Sequence, residues 1–279
     1  MSAGSSGVLY VVGTPIGNLG DLSSRARSVL GAVDLIAAED TRRTRGLLSS
    51  INLNTTLIAY HEHNEQQQTP ALIARLRQGE SLALVSDAGM PSISDPGLRL
   101  VRAALAEKLP VVSVPGPSAA MAALTISGLA TDRVVFEGFL PRRSGPRNRR
   151  LEALLTESRT MVFYEAVHRV EETLEVLEGV FGPDRPAAIA RELTKLHERV
   201  YIGKLAELRS QLGDEIPLLG EFVLLVAGDD NVCSASATEA QRIFAILSKE
   251  LSAKAAVALT AEITGLRRND VYRLTRVPD

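Results

Sequence analysis

Short apolar runs recur along the first half of the chain, each followed by a Gly/Pro-rich or polar loop and then a stretch of helical period. Val8 to Val12, Asp34 to Ala38, Thr56 to Ala59, Leu82 to Val85 and Val111 to Val114 read as strands. Helices are expected over Ser23 to Leu30, Arg43 to Ser49, Leu98 to Glu107 and Ala119 to Ser127, and another running to Gln78 with Thr69 as its cap and Pro70 at its first position. The strands are continuous apolar runs rather than alternating ones, as burial on both faces requires. Strand and helix in alternation imply crossover units and a mostly parallel sheet.

Beyond Ser127 the pattern changes. Strands are expected at Val134 to Gly138, Thr160 to Tyr164, Ala187 to Arg191, Glu198 to Gly203 and Glu221 to Ala227, with helices over Asn148 to Leu155, Val167 to Val180 and Lys204 to Leu212. Their closer spacing points to a mixed sheet. Asp229 to Thr238 reads as a polar linker and Glu239 to Arg276 as helical. Within that tail, Ser252 to Ile263, a turn at Thr264-Gly265 and Asn269 to Thr275 make a helix-turn-helix-like layout carrying Arg267, Arg268, Arg273 and Arg276. Its use is either auxiliary RNA contact or simple packing. The expected organisation is a flexible tail at 1–7, α/β domains at 8–118 and 119–230, and the helical tail at 236–279.

Three strand ends carry ligand-type loops: Gly13 to Asn18, Ser86 to Gly97 and Pro115 to Ser118. The middle one holds two Gly, two Pro, two Asp and three Ser, residues that turn tightly or present bare amides. In a parallel sheet all three lie on one edge, where small molecules bind. Ser86 to Gly97 is therefore either the floor of a ligand site or an ordinary strand-to-helix connection. No loop matches a dinucleotide or phosphate-loop fingerprint.

Composition narrows the classes. The chain has 279 residues, 45% apolar, with net charge -2, so nothing pulls it globally toward nucleic acid or anionic membrane. One Cys, Cys233, and four His give no disulfide framework and no metal cluster, fitting a reducing cytoplasm. The N-terminus lacks the features of a signal peptide, and no apolar run is long enough to span a membrane. Against this neutral background, Pro141 to Arg150 holds five Arg in ten residues: Arg142, Arg143, Arg147, Arg149 and Arg150. The segment is either a solvated linker or a phosphate-contact patch.

A resemblance is carried by ordered motifs: VVGTPIGNL from Val11 to Leu19, AAEDTR from Ala37 to Arg42, SDAGMP from Ser86 to Pro91, DPG from Asp95 to Gly97, VPGPSA from Val114 to Ala119, EGFLP from Glu137 to Pro141, FYE from Phe163 to Glu165, RELTK from Arg191 to Lys195 and GEF from Gly220 to Phe222. In this order they resemble the bacterial 16S ribosomal RNA (cytidine-2′-O)-methyltransferases of the tetrapyrrole methylase superfamily. The resemblance implies two αβα domains with S-adenosylmethionine (SAM) in the cleft between them. It also implies a cytoplasmic homodimer and methyl transfer to a cytidine 2′-hydroxyl of 16S rRNA in the 30S subunit. SAM contacts carried over are Gly13, Thr14, Pro15, Asp87, Ala88, Gly89, Met90, Ser118 and Ala119. Two positions depart from the family pattern: Gly13, where a bulkier or cyclic residue is expected, and Met90, where Thr is more usual.

A ribose hydroxyl is a weak nucleophile, so a base is expected. Candidates are Glu39, Asp40 and Glu192, with Lys195 only if its pKa is depressed. Each has a plainer alternative. Glu39 and Asp40 can cap the following helix, although Thr41 and Arg42 complete a polar cluster there; Arg42 is grouped with the RNA-contact arginines. Arg191, Glu192 and Lys195 can form a solvated face, and His61 and His63 an ordinary polar loop. Two other functions fit less of the pattern: C-methylation of a precorrin-type tetrapyrrole, and nucleic-acid binding without catalysis.

Overall fold

The structure, a computed structural model, describes residues 6–275, and their side chains outside 230–238. The side chain of Cys233, Arg276 and the first five residues of the expected N-terminal tail lie outside what is described. Strands β1 (Leu9–Val12), β2 (Leu35–Ala38), β3 (Leu57–Ala59), β4 (Leu82–Val85) and β5 (Val111–Val114) form a sheet in the order β3-β2-β4-β1-β5 with every pairing parallel. All four residues of β4 are buried. Leu82 and Leu84 face one core with helices α3 (Glu65–Arg77) and α4 (Leu98–Ala106). Ala83 and Val85 face the other with α1 (Ser24–Ala32) and α2 (Thr41–Ser50).

Strand order dictates where a site opens. From β1 the chain crosses toward β2 on one side; from the adjacent β4 it crosses toward β5 on the other. The two connections diverge, leaving a crevice at the carboxyl ends of β1 and β4, the position where open α/β sheets bind ligands.

The second sheet, β6 (Val134–Phe139), β7 (Thr160–Ala166), β8 (Pro186–Arg191), β9 (Arg199–Lys204) and β10 (Glu221–Val226), runs β6-β7-β10-β8-β9 and is mixed: β6 and β7 are parallel, the rest antiparallel. Helices α6 (Ser144–Glu152), α7 (Val170–Phe181) and α8 (Leu205–Ser210) cover one face. On the other face α5 (Ala119–Ile126) packs Ala120, Ala123 and Leu124 against Val162, Ala188 and Val223, and Ile16 enters from the first sheet's side. The tail folds as α9 (Asp230–Leu247), α10 (Ala253–Thr264) and α11 (Arg268–Thr275). Ser252 caps α10, and Gly265 ends it at φ 72, in the left-handed region that favours glycine.

Four expectations are corrected. Gly7 is not part of a flexible tail: it is buried and its N–H donates to the Leu76 carbonyl at 2.8 Å. Helix α3 starts at Glu65 and runs through Pro70, while Thr69, taken as its cap, hooks its hydroxyl onto the Glu65 carbonyl at 2.6 Å. Helix α6 starts at Ser144 because Pro146 falls in its first turn, where a missing N–H does no harm. The segment read as a polar linker forms the start of α9.

The loop after β4 is seated on its own strand. Gly97 has φ 132, and a Cβ there would lie 2.7 Å from Leu84 Cδ2 and 2.8 Å from Ser92 Oγ. Gly97→Ala is expected to lower unfolding stability by about 1–3 kcal/mol, read from the urea midpoint.

Candidate functional site

Two loops close the crevice by pairing with each other. The Thr14 N–H donates to the Gly89 carbonyl at 2.9 Å and the Gly89 N–H donates to the Thr14 carbonyl at 3.0 Å. The buried Thr14 hydroxyl donates to the Ser86 carbonyl at 3.2 Å. Gly89 has φ 76, a conformation L side chains rarely adopt.

Against this brace lies a cavity of about 360 Å³ between the two sheets. Asp87, Ala88, Gly89 and Met90 form one wall, Ser118 and Ala119 a second, Tyr164, Phe222 and Val223 a third, and Ile93, Ser94, Asp95 and Phe139 the rim. Of the nine expected cofactor contacts, these first six line the cavity; Gly13, Thr14 and Pro15 stand behind it as support. Tyr164, Asp95, Phe139 and Phe222 line the same cavity without being among the residues expected from the sequence; each lies within one of the resemblance motifs, FYE, DPG, EGFLP and GEF, which are the signal that points to them. The Tyr164 hydroxyl accepts from the Ala120 N–H at 3.3 Å, its ring is held edge-on by Phe136 and Phe139 at 5.1 and 5.6 Å, and burial pushes its pKa up.

The candidate bases separate sharply. Glu39 lines the cavity; its carboxylate accepts from the Asp87 N–H at 3.2 Å, and the Asp87 carboxylate in turn accepts from the Asp40 N–H at 3.0 Å. Burial, reinforced by the Asp87 charge, raises the Glu39 pKa despite that hydrogen bond and Arg43. Asp95 is pushed up to about 6 by burial and by the neighbouring Glu39 and Asp87. Asp40 is a cap instead of a base: its side chain accepts from the Arg42 N–H at 2.8 Å and pairs with the Arg42 guanidinium at 2.8 Å, which holds it down to about 2.

Glu192 and Lys195 do not line the cavity. Lys195 Nζ bridges Glu192 at 2.8 Å and Glu221 at 3.1 Å. Burial alone would lower the Lys195 pKa, but these two carboxylates outweigh it and the net shift is upward, the reverse of what a lysine base needs. Burial likewise opposes the ionised form of Glu192, yet Lys195 and the Glu221 N–H bring it below its usual value. The pair is a strut. It holds the 192–195 loop against Gly220, where a Cβ would lie 2.3 Å from Glu192 Oε1, and against Gly17, where one would lie 2.5 Å from Lys195 Cγ. The strut thereby ties the second sheet to the first loop.

The arginines divide as well. Arg147 is buried, 3% exposed, and pairs with Glu172 at 2.6 Å, so it is a packing residue, not an RNA contact. Arg150 is held by both oxygens of Glu137 at 2.6 Å. Arg142, Arg143 and Arg149 are exposed and have no ion-pair partner among the described residues. Among the described residues no cluster of His, Cys, Asp or Glu could hold a metal ion, and no helix is long and apolar enough to cross a membrane.

The two positions that depart from the family pattern touch. A Cβ on Gly13 would lie 2.7 Å from Met90 Sδ and equally close to the Gly116 backbone. Met90 fills space that a larger residue at 13 would take. In a double-mutant cycle, Gly13→Ala is expected to be less harmful beside Met90→Thr than alone, with a coupling on the order of 0.5–3 kcal/mol in chemical denaturation.

Comparison with known proteins agrees with this architecture. Residues 8–209 match the family Tetrapyrrole (Corrin/Porphyrin) Methylases, and residues 234–275 match the RsmI C-terminal HTH domain. The chain is 51% identical over 267 residues to "Ribosomal RNA small subunit methyltransferase I" of Xylella fastidiosa (strain Temecula1), covering 95% of this chain and 98% of that protein. It is 47% identical over 270 residues to the Escherichia coli O157:H7 protein of the same name, covering 96% and 94%. The fold is that of Uroporphyrin-III C-methyl transferase from Thermus thermophilus, solved in complex with S-adenyl homocysteine: TM-score 0.55 at 18% identity, over 82% of this chain and 100% of that one. With paired loops, a cleft between two α/β sheets and near-full-length identity, the chain belongs to the ribosomal RNA small subunit methyltransferase I family of the tetrapyrrole methylases.

Proposed function

We propose that the chain transfers the methyl group of SAM to the 2′-hydroxyl of a cytidine ribose in 16S rRNA, with Glu39 as general base. The observation that carries this is the lining of the cavity. Apolar walls surround Glu39, Asp87, Asp95 and Glu221, and among the described residues no Lys or Arg lines it. Such a site suits a cationic sulfonium ligand and repels phosphate. The left-handed Gly89, without a side chain, lets backbone approach the ligand closely.

SAM supplies an electrophilic methyl group with a neutral thioether as leaving group. What the chain must add is alignment of hydroxyl oxygen, methyl carbon and sulfur, which is mainly positioning. The Thr14–Gly89 bridge and the Lys195 strut fix the walls that do this. Glu39 accepts the hydroxyl proton as the new C–O bond forms. A raised pKa brings its basicity closer to the working pH, as an efficient base requires.

The relatives' name supports a small-subunit RNA substrate, and the motif resemblance supports the cytidine 2′-hydroxyl within it. Phosphate contacts fall to Arg142, Arg143 and Arg149, with α9 to α11 as an auxiliary RNA-binding module. The working form is a homodimer acting on the 30S subunit. Met121, Ile126 and Ile202, exposed on the α5 side of the second sheet, supply apolar surface for that association. Methylation of a tetrapyrrole fits less well, because its carboxylate side chains would meet the acidic rim.

Three outcomes are expected. Wild-type protein with SAM and undermethylated 30S subunits adds one methyl group to a cytidine ribose, read by mass spectrometry of the rRNA. Glu39→Gln is expected to lower kcat about 10²–10⁴-fold at saturating SAM, with the weaker SAM binding of the neutral side chain read separately by calorimetry. Because the base acts ionised and its pKa is raised, wild-type activity declines as pH falls through a value above the usual carboxylate range. Separately, replacing Arg142, Arg143 and Arg149 together by Ala weakens RNA binding and flattens its log–log salt slope by roughly two units. Arg147→Ala instead lowers thermal stability and leaves that slope in place.

A further inference from the structure

Strand β6 is irregular where it reaches the mouth of the cavity. Its pairing with β7 shifts register between Phe136 and Gly138, so that Phe136 stands opposite Val162 and Phe139 opposite Tyr164. Glu137 is the extra residue of a bulge, and it engages Arg150. In a regular strand, residues three apart point to opposite faces. The bulge brings Phe136 and Phe139 to the same face, where both rings meet Tyr164 edge-on at 5.1 and 5.6 Å. Gly138 makes the turn at φ 63, and a Cβ there would lie 2.7 Å from Ser94 Oγ, so β6 closes tightly on the loop after β4.

The bulge aims an aromatic ring at solvent. The chain has six Phe, five Tyr and no Trp. Phe163, Phe181 and Phe222 are at most 7% exposed, whereas Phe139 is 53% exposed on the cavity rim beside Ile93 and Ser94. Core packing does not account for such a ring, and bulges recur beside active sites, where they re-aim a side chain. Three residues further on, at most about 10 Å of chain, come Arg142 and then Arg143, exposed and with no ion-pair partner among the described residues. The cavity also adjoins a second one, about 620 Å³, lined by the carboxyl groups of Glu39, Glu62, Glu65 and Asp95, and Arg99 beside it is engaged by Glu65 at 3.3 Å. Phosphate is repelled there, so an RNA strand approaches over the arginines. Phe139 lies on that path: it lines the cavity, and the chain runs from it into Arg142.

We propose that Phe139 is the platform on which the base of the target nucleotide stacks once it has left the RNA stack. The inference deepens the ribose-methylation reading and rests on it. The acceptor hydroxyl meets Glu39 inside a cavity between two sheets, which a nucleotide still stacked between its neighbours does not enter. Unstacking costs free energy, and stacking on an aromatic side chain offsets it. The edge-to-face contact with Tyr164, whose hydroxyl accepts from the Ala120 N–H, fixes the plane of the Phe139 ring. The inner walls, Asp87 to Met90 with Ser118 and Ala119, remain for the cofactor. Stacking of this kind is sequence-tolerant, so Phe139 holds the base and does not select it.

The test measures methylation of undermethylated 30S subunits by wild type, Phe139→Leu, Phe139→Met, Phe139→Tyr and Phe136→Leu, with SAM affinity by calorimetry and the thermal midpoint of each. Leu and Met keep apolar bulk and remove the π face; Tyr keeps both. Phe139→Leu and Phe139→Met are expected to lose roughly 5- to 150-fold in kcat/KM for the 30S subunit, with SAM affinity unchanged. Phe139→Tyr is expected to match wild type. Phe136→Leu removes the other edge contact to Tyr164 without touching the cavity lining, and is expected to lose less than Phe139→Leu. On 30S subunits carrying the fluorescent base pyrrolocytosine at the target position, bound with S-adenosylhomocysteine, emission is expected to be lower with wild type than with Phe139→Leu, because a stacked ring quenches the base. SAM affinity that falls in step with activity would assign the ring to the cofactor instead. Unchanged kcat/KM, a Tyr variant as poor as Leu, an equal loss in Phe136→Leu, or equal emission would remove the stacking role. Each of these overturns the inference and leaves the methylation reading standing. Wild-type protein that binds SAM yet methylates no cytidine would overturn both.

Discussion

Two hydrogen bonds between Thr14 and Gly89 hold the site together. They join loops that leave neighbouring strands in opposite directions, so without them the crevice would have no fixed floor. Everything the cavity does follows from this brace. It aligns the 87–90 backbone, carries Asp87 to the end of β2 where it clamps Glu39 and Asp40, and sets the position of the loop that ends at Gly97. A backbone bridge constrains geometry without adding charge or bulk. That is what a site working by alignment needs.

Electrostatics then separates the site into zones of different chemistry. Carboxyl groups gather along the cavity and its neighbour, while the cations nearby are each engaged: Lys195 by Glu192 and Glu221, Arg42 by Asp40, Arg99 by Glu65. Crowding of acids raises Glu39 and Asp95 together. Arg142, Arg143 and Arg149, exposed and with no ion-pair partner among the described residues, stand apart on the 141–150 segment.

The strands and most helices were legible in the chain because continuous apolar runs and Gly/Pro loops have few other solutions. The loops Ser86 to Gly97 and Pro115 to Ser118 were legible as one site because they sit at strand ends on one sheet edge, and the resemblance singled out Asp87 to Met90 and Ser118-Ala119, which line the cavity. What periodicity could not show was which charges meet. Arg147 looks like its neighbours in sequence, yet helical phase turns it into the core. Lys195 gains its two carboxylates from the residue after β8 and the first residue of β10, strands that pair side by side. Tyr164, Phe222 and Asp95 enter the cavity from three distant segments. Gly13 and Met90 each looked like an isolated departure, and only their contact shows that one accommodates the other.

The central proposal is geometric: of the bases expected from the sequence, Glu39, Asp40, Glu192 and Lys195, Glu39 lines the cavity and the other three do not. A crystal structure with S-adenosylhomocysteine and cytidine tests it most directly. The account expects a Glu39 carboxylate oxygen about 2.6–3.2 Å from the ribose 2′-oxygen, with that oxygen facing the sulfur. A 2′-oxygen held instead by Glu192 or Lys195, or turned away from the sulfur with Glu39 out of reach, would contradict it.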